Sequence, residues 1–336
     1  MRVDLTLRAL QAPDVAAAAA DAEALGFDGV GLTESTGDPF IACALAATTT
    51  RRARIATGIA LALPRTPTAV AYSAWDLQAL SGGRFALGLG TQVRAHVERR
   101  FGVPWSRPAA RMREFVLALR AIWTAWETGG ELRFEGEFHR LSLMPAGFRP
   151  APTGHPAPPV LLAAVRERML EVSGEVADGV LLHALQSPEV LREVTLPAIG
   201  RGLERAGRAR EDVEVVVGLF LATSDAEWEA IRRRVAFYGS TPGYRHVLDH
   251  HGLGALHEQL HPLSRAGDWA AMSRLVDDDV VALFGVRAAG REPADVAAEV
   301  LRRAAGADRV SLTGEQPDLT TWAQVAQAVR QAAASS

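Results

Sequence analysis

Short β-branched or leucine-rich runs alternate along the chain with longer stretches of helical periodicity, and the alternation continues from end to end. Eight runs read as strands: Val3–Leu7, Gly29–Thr33, Ile55–Leu61, Phe85–Leu89, Val160–Ala163, Gly179–Leu182, Val213–Leu221 and Arg309–Leu312. Nearly continuous apolar runs of this length suit strands covered on both faces, and the intervening helical stretches supply the covers. Asp14–Leu25 is such a helix, entered through Pro13 and Asp14 and stopped by Gly26. Repeated βα units of this kind build a parallel sheet.

Eight units predict an α/β chain folded as a (β/α)8 TIM barrel, and one such barrel uses all 336 residues as a single domain. The phrases ALGFDGVGL, EVADGVLL and GADRVSL each place an acidic residue just before a strand. Asp28, Asp178 and Asp308 are therefore read as turn residues at the amino-terminal face of the barrel, away from the chemistry. Two connections are too long to be simple crossovers. One, about 91–159, follows the fourth strand and contains an arginine-studded loop, a helix around Pro108–Trp126, a hairpin in LRFEGEFHRL and a proline-rich return. The other, about 237–284, follows the seventh strand and holds His246, His250, His251, His257 and His261. Insertions after the carboxyl ends of barrel strands roof the active site.

Charge and composition remove several function classes. The formal net charge of -3 gives no pull toward nucleic acid or an anionic membrane, so a small-molecule site is the default. The arginines of RAHVERRFGVPWSRPAARMRE are interleaved with Glu98 and Glu114 and read as solvated helix charges, ligand-binding cations and subunit contacts. All 36 residues of the Lys+Arg count are arginine, which excludes a lysine Schiff base, a phosphate-loop lysine and a lysine acid. The abundance of Ala and Arg is read as genome composition. One cysteine, Cys43, excludes an internal disulfide and reads as a small buried side chain. The chain opens on a strand-like run without the layout of a secretion signal, and no apolar run reaches the roughly 18 residues of a membrane span. A cytoplasmic location is expected. Trp75, Trp123 and Trp126 lie at helical spacings and read as core or interface.

The segment IATGIALALPRTPTAVAYSAWDLQALSGGRFALGLGTQ resembles the luciferase-like flavin and coenzyme F420-dependent oxidoreductases, and GFDGV, EVADG and the FEGEFH hairpin extend that resemblance over nearly the whole chain. Within the superfamily, TAWE, RFGVPWSRPAARMRE and AYSAWDLQALSGGR are most similar to an actinobacterial F420-dependent subgroup. The resemblance implies a non-prolyl cis peptide at Gly58–Ile59 supporting the ring of a flavin or deazaflavin. It makes Gly90 and Thr91 contacts of the cofactor, with Gln92 and Arg94 directed to its phosphate or acidic tail. Ala164, Val165 and Arg166 occupy the phosphate-binding loop after the fifth strand, where relatives have glycine and this chain has Arg166. That side chain either binds phosphate bidentately or blocks the loop. The backbone near Gly58, Gly90 and Val165 is thus expected to form one concave wall.

For acid–base or orienting roles the candidates are Glu34, at the end of the second strand, and His183, just past the sixth. Gly37 stands where similar sequences carry histidine, so the acid–base role lies elsewhere or the chemistry differs. His246 and His250 have the spacing of a helical metal pair, but no carboxylate-bearing HExxH accompanies them, and no metal is expected. The reading is an oxidoreductase transferring a hydride between coenzyme F420 and a small organic substrate. The alternatives are a reduced-FMN monooxygenase and a non-catalytic subunit that has lost its cofactor. A homodimer is expected from the resemblance and from the number of apolar helix positions.

Overall fold

In the computed structural model, which describes residues 1–315 and 317–335, eight parallel strands close on themselves. They are β1 (Arg2–Leu7), β2 (Gly29–Leu32), β3 (Arg54–Thr57), β4 (Phe85–Gly90), β5 (Val160–Ala164), β6 (Gly179–Leu182), β7 (Glu214–Ala222) and β8 (Arg309–Thr313). Each pairs with its successor, and β8 returns to β1 through Val3 opposite Val310 and Leu5 opposite Leu312. Helices lie between successive strands, so the chain is the (β/α)8 barrel expected from its pattern.

The period-two geometry of a strand sorts each run into two sets. On β1, Val3, Leu5 and Leu7 join a core shared with helical Val15, Ala19, Ala22 and Cys43, while Asp4, Thr6 and Arg8 line the barrel axis. Leu5, Leu32, Leu87 and Leu162 are at most 1% exposed, and burying each such side chain contributes about 1.5–3 kcal/mol. Trp75, Trp123 and Trp126 are buried as well, with Trp75 edge-on to Trp126 at 5.6 Å. The axis is lined differently, by Thr6, Gly31, Ala56, Gly218 and Ser311. Bulky branched residues usually fill a barrel of this kind; here Leu181 and Val216 stand among small neighbours, and the axis stays hollow.

An ionic cluster closes the lower end. Arg309 donates to Asp4 at 2.5 Å and to Glu214 at 3.1 Å, while Arg54 bridges the same two carboxylates, reaching Asp4 at 3.3 Å. Burial alone would raise the Glu214 carboxyl, but Arg54 and Arg309 beside it hold it below the ordinary range. The three turn aspartates do one repeated job at this face. Asp28 accepts the Val3 N–H at 2.7 Å, Asp178 that of Val160 at 2.8 Å and Asp308 that of Val215 at 2.7 Å. Each carboxylate thereby ties the turn before one strand to the start of its neighbour.

Three details depart from the pattern-based expectation. The third run is not continuous to Leu61: it breaks after Thr57 and resumes as a two-residue strand, Ala60–Leu61, paired with Leu89 and Gly90. The first long helix of the insertions runs to Thr128. A strand absent from the expectation, Gly285–Arg287, follows the second insertion and pairs with Phe220–Ala222 beyond the reach of β6. The hairpin of the first insertion is present as Phe134–Glu135 against Arg140–Leu141, and Glu114 clamps its turn by accepting the N–H groups of Glu137, Phe138 and His139.

Candidate active site

At the carboxyl ends of the strands the hollow axis widens into a cavity of about 1440 Å³. Gly58, Gly90 and Val165 all line it, so the three backbone segments expected to form one wall do share a single concavity. The Gly58–Ile59 peptide is cis, and it sits where β3 breaks. The glycines of β4 make room for that break. A methyl group on Gly88 would stand 1.9 Å from the Thr57 carbonyl oxygen, and one on Gly90 would stand 2.1 Å from Ile59 Cδ1. Gly90 therefore has its first use in seating Ile59 against the barrel, in addition to bordering the cavity.

Past β4, Thr91 Oγ1 donates to the Gln92 carbonyl at 2.9 Å, and Gln92, in the left-handed region at φ 64°, turns its own Oε1 back to the Val93 N–H. Both side chains are thus occupied in shaping the turn that borders the cavity. Arg94 lies at the mouth, exposed and paired with Glu98 at 3.0 Å. Arg107 and Arg168 also border the mouth. The neighbouring strand, β5, ends at Ala164 and is followed by Val165 and Arg166, and the helix Glu167–Val176 starts there with its first N–H groups unpaired within the helix. Arg166 borders the cavity, and its Nη2 donates to the Pro242 carbonyl of the second insertion at 3.1 Å. A planar heterocycle with an anionic tail is compatible with these residues, since the wall is backbone and small side chains while the mouth carries arginines and a helix start.

Glu34 is placed differently from the expectation. It does not border the cavity; its Oε2 accepts the Leu61 N–H at 2.7 Å and an Arg65 N–H at 2.7 Å, and Arg65 also binds Asp38 at 3.0 Å. The carboxylate supports the interrupted strand from behind, so a direct role on substrate does not follow from its geometry. His183 does border the cavity. Its Nδ1 accepts the Leu185 N–H at 2.9 Å, which leaves the proton on Nε2. Burial, with Arg8 and Arg234 nearby, pushes its pKa down to about 3, so near neutral pH the ring is a neutral hydrogen-bond donor.

Around His183 stand residues that the sequence reading missed. Tyr238 lies 4.1 Å and Tyr244 4.9 Å from its ring centroid, with Phe220 behind at 6.2 Å. Burial pushes the Tyr244 phenol up, so it stays protonated. Arg8 and Trp105 also line the cavity. The available signal was scarcity: the chain has 3 tyrosines, and two of them fall within YGSTPGY at the start of the second insertion.

Three histidines of the second insertion have separate partners. His250 meets Glu193 at 3.2 Å, His251 meets Ser187 at 2.8 Å, and His257 meets the Gly239 carbonyl at 2.7 Å. Among the described residues no group of three His, Cys, Asp or Glu side chains is placed to hold a metal ion, and no helix is long and apolar enough to cross a membrane.

Comparisons with known proteins agree with this architecture. An uncharacterized protein of Mycobacterium tuberculosis is 49% identical over 300 residues, covering 86% of this chain and 87% of that protein. A provisionally named coenzyme F420-dependent oxidoreductase from the same organism is 31% identical over 282 residues, covering 78% and 80%. The structure of the coenzyme F420-dependent tetrahydromethanopterin reductase from Methanopyrus kandleri superposes with a TM-score of 0.80 at 23% identity, over 97% of each chain, and is similar in fold. The luciferase-like monooxygenase family matches residues 2–309, and the chain belongs to that family.

Proposed function

We propose that the protein is an oxidoreductase that transfers a hydride between coenzyme F420 and a small organic substrate. The observation that carries this reading is the meeting of Gly58–Ile59, Gly90–Arg94 and Ala164–Arg166 around one cavity. When bound, the deazaflavin supplies the carbon centre that gives or accepts the hydride. The chain's own contribution is placement and electrostatics. The backbone of Gly58 and Ile59 supports the ring, and Gly90 with Thr91 borders its side chain. Arg94, Arg166 and the start of Glu167–Val176 face the anionic tail. His183, as a neutral Nε2–H donor, orients an oxygen of the substrate, with the Tyr238 and Tyr244 phenols closing that side. A small homo-oligomer, taken as a dimer, is the assembly we propose, and a sedimentation mass of one chain would overturn it.

The test is titration of the purified protein with oxidised F420 and, separately, with FMN, followed by fluorescence. Micromolar binding of F420 is expected. Tight binding of FMN alone would favour a reduced-FMN monooxygenase, and binding of neither would favour a non-catalytic subunit.

A further inference from the structure

The cavity contains a cation that the cofactor reading leaves unused. Arg8 stands one residue beyond β1, where Ala9 turns the chain at φ 51°, and its side chain lines the cavity together with His183, Thr313 and Tyr238. Among the described residues no carboxylate pairs with it. The contrast with the lower end of the barrel is informative. There the chain supplies two carboxylates, Asp4 and Glu214, for the two guanidiniums of Arg54 and Arg309. At the upper end Arg234 has Glu315 at 2.8 Å, yet its Nε is buried without a partner, and Arg8 has no counterpart at all. Burial and the nearby Arg8 together depress the pKa of Arg234, and burial, with the same two arginines, depresses that of His183. A half-buried cation costs free energy unless it is hydrated or paired, and a guanidinium exchanges that hydration most favourably for an oxyanion.

We propose that Arg8 is a substrate-binding residue, and that the substrate carries a carboxylate or phosphate oxyanion held between the Arg8 guanidinium and the Nε2–H of His183. This deepens the oxidoreductase reading, on which it rests for taking the cavity as a substrate site. Oxyanion capture at Arg8 nevertheless has its own readout, independent of F420. The second, positively charged neighbour, Arg234, adds attraction for the anion while Glu315 fixes its direction. An uncharged substrate would leave Arg8 without a counter-charge, since Glu315 is paired with Arg234.

The experiment uses the full chain labelled with 15N- and 13C-histidine, with the His183 resonance assigned by its loss in His183→Asn. Acetate, inorganic phosphate and uncharged acetamide are titrated at constant ionic strength. Saturable movement of the His183 resonance is expected with an oxyanion and not with acetamide, and the tighter of the two oxyanions assigns the substrate group as carboxylate or phosphate. Affinity is expected to fall about ten-fold or more in Arg8→Gln and to be largely restored in Arg8→Lys, corresponding to the loss of one charge-assisted contact. Arg8→Gln should unfold at the wild-type temperature and bind oxidised F420 as the wild type does. Equal affinity in wild type and Arg8→Gln, or no movement of His183 with either oxyanion, would overturn the proposal. Failure of F420 binding with Arg8-dependent oxyanion binding intact would overturn the cofactor assignment alone.

Discussion

Glu34 gives its carboxylate to the chain itself, to the Leu61 N–H and to Arg65, which removes it from the cavity and makes it a support for the wall. Glu34→Ala strands both of these partners, and a cost of roughly 1–3 kcal/mol is expected in denaturant unfolding. A variant as stable as the wild type would show that the carboxylate carries no such load. His183 gives the sharper pH prediction. Its ordinary value of 6.5 falls to about 3 in the folded state, with Arg8, Arg234, Tyr238 and Tyr244 packed around it. Between those values the unfolded chain takes up a proton that the folded chain refuses, so this contribution to stability is fully present above pH 6.5 and is lost as pH falls towards 3. His183→Asn is expected to flatten the dependence of unfolding free energy on pH across that window, and an unchanged slope would assign the effect to another group. Residue types were legible here before their roles were. A carboxylate at the end of a strand points to chemistry from sequence alone; Arg65, which occupies it, is 31 positions away and enters only through the fold. Arg8 was hidden for the same reason, since the inward phase of β1 decides that its side chain meets the cavity.

The elements were more legible than their interruptions. Short β-branched or leucine-rich runs alternating with helical stretches located all eight barrel strands, even where polar residues interrupt the run, as Asp4 and Thr6 do in β1 and Ser311 in β8. Gly285–Arg287 escaped because three residues at the end of a helical segment carry no period. The break in β3 was read as one continuous strand, although the residues that accommodate it stand in β4. Gly88 and Gly90 make an ordered pair of predictions. A methyl group at Gly88 meets the Thr57 backbone oxygen at 1.9 Å, whereas at Gly90 it meets the far end of the Ile59 side chain at 2.1 Å. Backbone cannot move aside as a side chain can, so Gly88→Ala is expected to exceed the ordinary overpacking cost of roughly 1–3 kcal/mol, and Gly90→Ala to fall within it. Thermal unfolding of the two variants checks the order, and F420 titration of Gly90→Ala checks whether displacing Ile59 weakens the wall. The reverse order would mean that β4, and not Ile59, yields.

For the molecule as a whole, the hollow axis joins the catalytic end of the barrel to its ionic floor. Asp4 and Arg54 belong both to that floor and to the lining of the cavity, so the space beneath the cis peptide extends down between Thr6, Gly31, Ala56 and Ser311. Charged side chains close the lower end where branched apolar ones ordinarily would, and a ring of two guanidiniums and two carboxylates does so without leaving a charge unpaired. Small side chains above it cannot be explained by packing, because each forgoes contacts that a leucine would make. Their joint effect is volume, and volume below a ring site is where a substrate or its tail can lie. Gly31 tests this directly. A methyl group built on it finds Thr6 Oγ1 as its nearest neighbour at 4.0 Å, so a larger side chain enters open space and not the surrounding core. Gly31→Leu is therefore expected to keep its unfolding free energy within about 1 kcal/mol of the wild type, as substitutions free of clashes do. The same variant is expected to weaken oxyanion capture at His183, because the added side chain occupies the shaft between that ring and the floor. If Gly31→Leu proves stable and the His183 resonance responds to oxyanions as in the wild type, the shaft lies outside the ligand space and the small residues need another cause.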